Sequence, residues 1–357
     1  PSPILHILFS MDSDFPLIDE SSKDQSFQDY ENYVIQFLSP RPVERYGLVV
    51  FALIMFIGVA GNCLVIRVVS STRRMRTSMN ILLMNLAVAD LIILLICLPT
   101  TVLTDVTKTF WFGVIPCKGI VFVQNTGVYV SVLTLTFISY ERWKAVTDPL
   151  DVSIANKKIV IPVIWIIAMI LSTPEPFTLQ IESPTFDRPN FTTTWGTQCR
   201  VSWSPEVEKP YVLFQSLVFY ILPLIMISCL CYSTISTLND GHLALGRRQI
   251  GTRKKAVRML SVVVFVFALS YLPVHAHNII IAFSADEPFS VDDTDVDISA
   301  VRKLLARVFS YSSSSLNPIL YNILCRKFRK EYARLVLCRR KDSERNGRSF
   351  STKGYGA

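Results

Sequence analysis

Apolar residues run along this chain in seven long stretches, 47–69, 79–103, 117–140, 159–177, 211–235, 257–283 and 301–324, separated by short polar connections. A bilayer core of about 30 Å takes about 20 residues of helix to cross, and each stretch is close to that length. Lipid offers no partner to backbone N–H and C=O groups, so a segment that crosses it must satisfy them internally. The pattern therefore predicts an all-α membrane protein, a seven-transmembrane helix bundle over 46–325. Residues 326–338 hold an amphipathic basic stretch, Phe328-Arg329-Lys330-Glu331-Tyr332-Ala333-Arg334-Leu335-Val336-Leu337, that resembles a short amphipathic eighth helix on the membrane surface. Residues 339–357 are then a tail. Residues 1–45 are acidic (Asp12, Asp14, Asp19, Glu20, Asp24, Asp29, Glu31) and lack a long apolar run, so they are expected to be a mostly disordered tail. Pro1 in place of Met suggests that residues before it are missing or were removed. The 178–210 connection is long enough for a short hairpin.

Charge gives the orientation. Arg73, Arg74 and Arg76 lie in the first connection, Lys157 and Lys158 in the third, and Arg247, Arg248, Arg253, Lys254 and Lys255 in the fifth, whereas 286–297 holds six acids and no base. Basic loops stay cytoplasmic, so with seven crossings the N-terminus is extracellular and the C-terminus cytoplasmic. The net charge of +8 is then a topology signal that fits an anionic inner leaflet and gives no reason to invoke nucleic acid. The acidic loop either steers a basic ligand or is merely a solvated connection.

Within the spans, polar residues are expensive and so are functional candidates. Asn62, Asp90, Ser131 and Asn317 fall in spans one, two, three and seven and are expected to meet in one buried cluster. The plain reading of such a cluster is hydrogen bonding between helices. Pro223, Pro273 and Pro318 each remove a helix hydrogen bond, so spans five, six and seven can bend there. Four of the eight cysteines, Cys63, Cys97, Cys229 and Cys231, lie inside spans and read as small packing residues. Asn190-Phe191-Thr192 is a glycosylation sequon that the topology puts outside, and Cys338, after the basic amphipathic stretch, is a candidate for palmitoylation.

Glu141-Arg142-Trp143 at the end of the third span, followed by Pro149-Leu150, together with Asn317-Pro318-Ile319-Leu320-Tyr321 in the seventh, resembles the signature of the rhodopsin-like G-protein-coupled receptors. Further segments, Ile96-Cys97-Leu98-Pro99-Thr100-Thr101, Gln124, Ser131-Val132-Leu133-Thr134-Leu135-Thr136-Phe137 and Phe267-Ala268-Leu269-Ser270-Tyr271-Leu272-Pro273, look like the orexin and allatotropin receptors of its peptide-binding branch.

The resemblance implies several roles. Cys117 and Cys199 would form the disulfide that pins the second outer loop to the third helix. Asp90 with Ser131 and Asn317 would hold an allosteric sodium ion, although Ser313 stands where the family often has a second asparagine. Glu141 and Arg142 would pair at rest, and Phe267, Tyr271, Pro273, Asn317, Pro318 and Tyr321 would relay the outward swing of the sixth helix. Arg142 and Leu150 would touch the heterotrimeric G protein. Two departures stand out: Tyr271 replaces the usual tryptophan, and Cys231 stands where a tyrosine usually faces the cavity, with Tyr232 one residue late and about 100° around the helix. The ligand pocket would be walled by Gln124, Thr101, Glu175, Asn278, Arg307 and Tyr311. Gln124 and Asn278 offer the donors and acceptors that an amidated peptide end needs; the alternative is that they bond only to neighbouring helices. Arg307 would meet a ligand carboxylate, Glu175 or an outer-loop acid.

These expectations exclude some classes. The seventh span carries Tyr311 where a retinal protein needs its lysine, and the third carries Gln124 where amine receptors have an aspartate. No nucleophile with its base and no metal motif stands out, so no enzyme is expected, and His242, His275 and His277 lack ligand spacing, the last two reading as pocket or packing residues. The reading is a plasma-membrane neuropeptide receptor acting on a G protein. The alternatives are a receptor for a small nonpeptide ligand and, from another class, a transporter or channel, whose inverted repeats are not evident here.

Overall fold

The computed structural model describes residues 27–148, 157–184, 191–202, 204–239, 247–284 and 293–336. Seven long helices run through them: Pro42–Ser71, Ser78–Thr107, Val114–Thr147, Lys157–Thr178, Glu206–Asn239, Arg247–Ser284 and Asp293–Leu324. All seven coincide with the apolar stretches and extend beyond them, because a helix continues past the bilayer wherever its polar ends are solvated. Six are long and apolar enough to cross a membrane by composition alone. The seventh falls short because it carries Arg302, Lys303, Arg307 and the run Ser312 to Ser315, yet it packs between the sixth and first helices.

Small residues let the helices approach closely, as membrane interfaces favour. A Cβ on Gly61 would sit 2.8 Å from Cβ of Pro318, and one on Gly58 would lie 3.1 Å from Cβ of Ser315, so the first and seventh helices meet backbone to backbone there. Replacing Gly61 by leucine should wedge them apart at a cost of about 1–3 kcal/mol. The check is the melting temperature of the purified protein and its surface yield, both of which should fall, while Gly119→Leu, at a glycine with nothing within 4 Å, should change neither much.

Two helices widen into single π turns, Ile93–Cys97 in the second and Leu217–Ile221 in the fifth. Each is followed within two residues by a proline, Pro99 or Pro223, whose missing N–H breaks the regular ladder. The bend at Pro223 was expected; that in the second helix was not.

At the outer end, strands β1 (Leu179–Glu182) and β2 (Gln198–Val201) form the anticipated antiparallel hairpin, with Ile181 opposite Cys199. The expectation of a mostly disordered 1–45 tail needs correction for its described part. Phe27–Phe37 is a helix, and the next begins at Pro42, with the Glu44 carboxylate accepting from the Arg41 N–H at 2.9 Å. Tyr30, Val34 and Leu38, at four-residue spacing on one face, bury against Phe191, and Tyr30 meets that ring edge-on at 4.7 Å. The acidic composition hid this short apolar stripe.

Arg326–Val336 is helical as expected, burying Phe328 and Tyr332 and exposing Arg329 and Lys330. Leu150, Asn190, His242 and Cys338 lie outside the described residues. So do Asp286, Glu287 and Asp292 and the side chains of Asp293, Asp295 and Asp297.

Candidate ligand cleft and inner latch

In the outer half of the bundle, a narrow cleft is lined by Asn125, Val128 and Tyr129 from the third helix, Gln215 and Phe219 from the fifth, and Phe267, Tyr271 and His275 from the sixth. Its walls are aromatic. Tyr129 stacks on Phe219 at 4.0 Å, Phe267 lies 4.5 Å from Tyr271, and His275 stacks on Tyr220 at 4.6 Å while its Nδ1 meets the Ser216 hydroxyl at 3.0 Å.

Glu175, where Pro174 opens the last turn of the fourth helix, is buried behind this cleft. Its carboxylate accepts from Nδ2 of Asn125 and Nε2 of Gln215, and from the Tyr211 hydroxyl at 3.3 Å. Gln124 and Asn278 are almost wholly buried, yet Oε1 of Gln124 and both amide atoms of Asn278 have no hydrogen-bond partner among the described residues. The alternative in which Asn278 serves only to bond neighbouring helices therefore has no bond to show. Nearer the first helix, the Thr101 and Tyr311 hydroxyls meet at 2.8 Å.

Arg307, for which a ligand carboxylate, Glu175 or an outer-loop acid had been expected, pairs among the described residues with Asp105 at the end of the second helix. Asp105 lies four residues after Thr101, one turn higher on the same face. Lys303 approaches the same carboxylate at 3.9 Å, and Lys108 pairs with Glu44. Burial pushes the Lys108 ammonium pKa down, and Glu44 beside it acts the other way.

At mid-depth, Asn317 donates Nδ2 to Asp90 at 2.9 Å, and Asn62 donates to the Gly58 and Ser314 carbonyls, each at 2.9 Å. Ser131 instead donates to the Gly127 carbonyl of its own helix at 3.0 Å. A second network went unseen in the sequence: Trp165 Nε1 donates to Asn85 Oδ1 at 2.9 Å, and Asn85 donates to Thr134 at 3.0 Å.

At the inner end, Glu141 is 5% exposed and held from three sides, by Lys157 at 2.8 Å, by the Ser78 hydroxyl, and by Arg142 Nη2 at 3.3 Å. The Arg142 side chain is 27% exposed against 13% for Lys157, so it is the more easily released of the two bases. Arg253 on the sixth helix donates to the Ala145 carbonyl at 2.8 Å, tying the sixth helix to the third, and Trp143 donates to Ser233 on the fifth at 3.1 Å. Tyr321 is buried against Phe328, with ring centres 5.7 Å apart. Cys231 faces the interior while Tyr232 is 76% exposed, so the one-residue offset does turn that tyrosine away from the bundle.

Residues 61–321 match the family described as 7 transmembrane receptor (rhodopsin family). The chain belongs to the rhodopsin family. Among its relatives, galanin receptor type 1 of Homo sapiens is 32% identical, over 85% of this chain and 88% of that receptor. Bombesin receptor subtype-3 of Ovis aries is 32% identical, over 81% of this chain and 74% of that one. The family consists of multi-pass membrane receptors and not of enzymes. The narrower orexin and allatotropin likeness rests only on the segments quoted above.

In this rhodopsin-family receptor the sequence-derived pocket residues fall into three places: Glu175 behind the cleft, Gln124 and Asn278 buried with unmet amide groups, and Thr101, Tyr311 and Arg307 in the second and seventh helices. None of the six is among the residues lining the cleft itself. Asn125, Gln215 and Asp105 were missed, although each is a polar residue inside or beside an apolar run and the rule that flagged Asp90 applies equally to them. Ser78, Lys157 and Arg253 carried no such signal, because bases and hydroxyls at helix ends are ordinary.

Cys117 and Cys199 are bonded, with Cα atoms 5.7 Å apart, and β2 is thereby fixed to the outer end of the third helix. Cys117→Ser and Cys199→Ser should each lower surface expression, and the double variant should be little worse, since either change removes the same bond. Fully additive losses in a surface-labelling assay would contradict a shared role.

Proposed function

We propose that this receptor is activated by an extracellular peptide and promotes nucleotide exchange on a cytoplasmic heterotrimeric G protein. The observation that carries the reading is the set of buried amide atoms without a partner among the described residues in the outer half of the bundle, the carbonyl oxygens of Gln124, Asn125 and Gln215 and both amide atoms of Asn278. Buried polar atoms are nearly always satisfied, and a peptide supplies backbone N–H and C=O groups in the density needed to satisfy several at once. The names of the galanin and bombesin relatives favour the same ligand class. The acidic stretch 286–297 and the Glu175 carboxylate suit a basic peptide, and the amide side chains suit an amidated end.

Activation is a population shift: a peptide that binds better when the inner end is open biases the bundle towards that state. The basic first, third and fifth connections support an outer N-terminus and an inner C-terminus, with lipid contacts along the basic tail helix. Glycosylation at Asn190, palmitoylation at Cys338 and a G-protein contact at Leu150 belong to the same topology. The mid-depth cluster also suits a sodium ion that stabilises the resting state. Asp90 supplies charge, Ser131 keeps its lone pairs, and Asn317, which turns its NH₂ to Asp90, offers its carbonyl oxygen as the third ligand.

The experiment is a peptide library applied to cells expressing the chain, read by calcium release and by G-protein activation. Activity lost after protease treatment of the ligand supports a peptide. Activity that survives protease points to a small nonpeptide ligand, and current or transport without any G protein points to a channel or transporter.

A further inference from the structure

We propose that the cleft beneath Glu175 is a guanidinium subsite that takes an arginine side chain of the ligand. The inference deepens the peptide-receptor reading and rests on it.

Asn125 and Gln215 both turn their NH₂ groups to the Glu175 carboxylate. That orientation is forced, since a carboxylate only accepts hydrogen bonds and an amide oxygen facing it would be repelled. Their carbonyl oxygens, Oδ1 and Oε1, are therefore turned elsewhere, and neither has a hydrogen-bond partner among the described residues. Both residues are at least 97% buried and both line the cleft. The site thus holds two buried acceptor oxygens, unmet among the described residues, on cleft-lining side chains whose NH₂ groups face a carboxylate. A ligand group that meets this arrangement must be cationic and must carry several donors in a fixed plane.

Guanidinium has five N–H donors in a planar fork and is more weakly hydrated than an ammonium, so it loses less on entering a buried site. The rest of the lining suits its flat faces. Tyr129, Phe219, Phe267 and Tyr271 surround the cleft, and a guanidinium packs on aromatic faces by cation–π attraction. Among the described residues, no lysine or arginine lines the cleft to oppose it. Lysine fits less well, because its donors form a compact point and cannot reach both oxygens in one plane.

The test uses the full chain in detergent, titrated with N-acetyl-arginine-amide, N-acetyl-lysine-amide and N-acetyl-citrulline-amide, with binding read by saturation-transfer NMR and by thermal unfolding. Citrulline keeps the shape of arginine and loses the charge. The arginine probe should bind at least about tenfold more tightly than citrulline, as expected for charge-assisted bonds to a buried carboxylate, with lysine between them. Glu175→Gln should erase the difference between arginine and citrulline. Equal binding of arginine and citrulline by the unaltered chain would overturn the proposal, even if Glu175→Gln does not fold. So would an arginine preference that survives in Glu175→Gln.

The readout needs no G protein and so separates the two claims. A chain that binds the arginine probe but answers no peptide keeps the subsite and loses the receptor reading. One that answers peptides whose arginines can all be replaced by citrulline without loss keeps the receptor reading and loses the subsite.

Discussion

Arg142→Ala should leave the receptor at the surface and able to bind its agonist while nucleotide exchange falls to background. The geometry explains why folding survives. Removing one member of a buried ion pair usually costs about 3–5 kcal/mol, because the other charge is left uncompensated. Here Glu141 keeps Lys157 at 2.8 Å and the Ser78 hydroxyl when Arg142 is gone, so the carboxylate stays paired. Binding should change by no more than about 0.5 kcal/mol, since the residue lies at the inner end, away from the cleft. Surface labelling, agonist binding and exchange on the same cells check this, and normal exchange by the variant would remove Arg142 from transmission.

Gln124→Ala and Asn278→Ala should each lower agonist potency about 5- to 150-fold, the range that follows from about 1–3 kcal/mol for a ligand group left buried and unsatisfied. Both side chains have amide atoms that the bundle does not satisfy, so truncation takes little from the resting fold, and the loss should appear in potency and not in expression. Low salt should not restore it. Asp292→Asn with Asp293→Asn, by contrast, removes charges from the acidic stretch 286–297 and should slow association in a salt-dependent way. Unchanged potency in both pocket variants, with expression intact, would place the peptide elsewhere.

Sequence patterning made the architecture legible because membrane crossing imposes a single strong rule, a long apolar run for each helix. The seventh helix met that rule least well and was still found, since its apolar residues recur despite a run of four serines, Ser312 to Ser315. The amino-terminal helix was missed because three apolar residues, Tyr30, Val34 and Leu38, gain their partner Phe191 only through the fold. The site was legible in part. Asp90, Asn317, Glu141 and Arg142 sit in local motifs, whereas the partner of Arg307 is Asp105, 202 positions away (307 − 105), and nothing local in the sequence chooses it over Glu175. Register decided the rest: Asn125 lies one residue beyond Gln124, a turn of about 100°, and it is Asn125 that lines the cleft.

The central claim is that filling the outer cleft releases the inner latch of Glu141, Arg142 and the Arg253 bond to Ala145. Nucleotide exchange on a purified heterotrimeric G protein, driven by the full chain in lipid nanodiscs, tests it most directly. The agonist from the peptide library should raise exchange with the unaltered chain and fail with Arg142→Ala, although both bind it equally. Exchange that is indifferent to the peptide, or equal in the two proteins, would contradict the account.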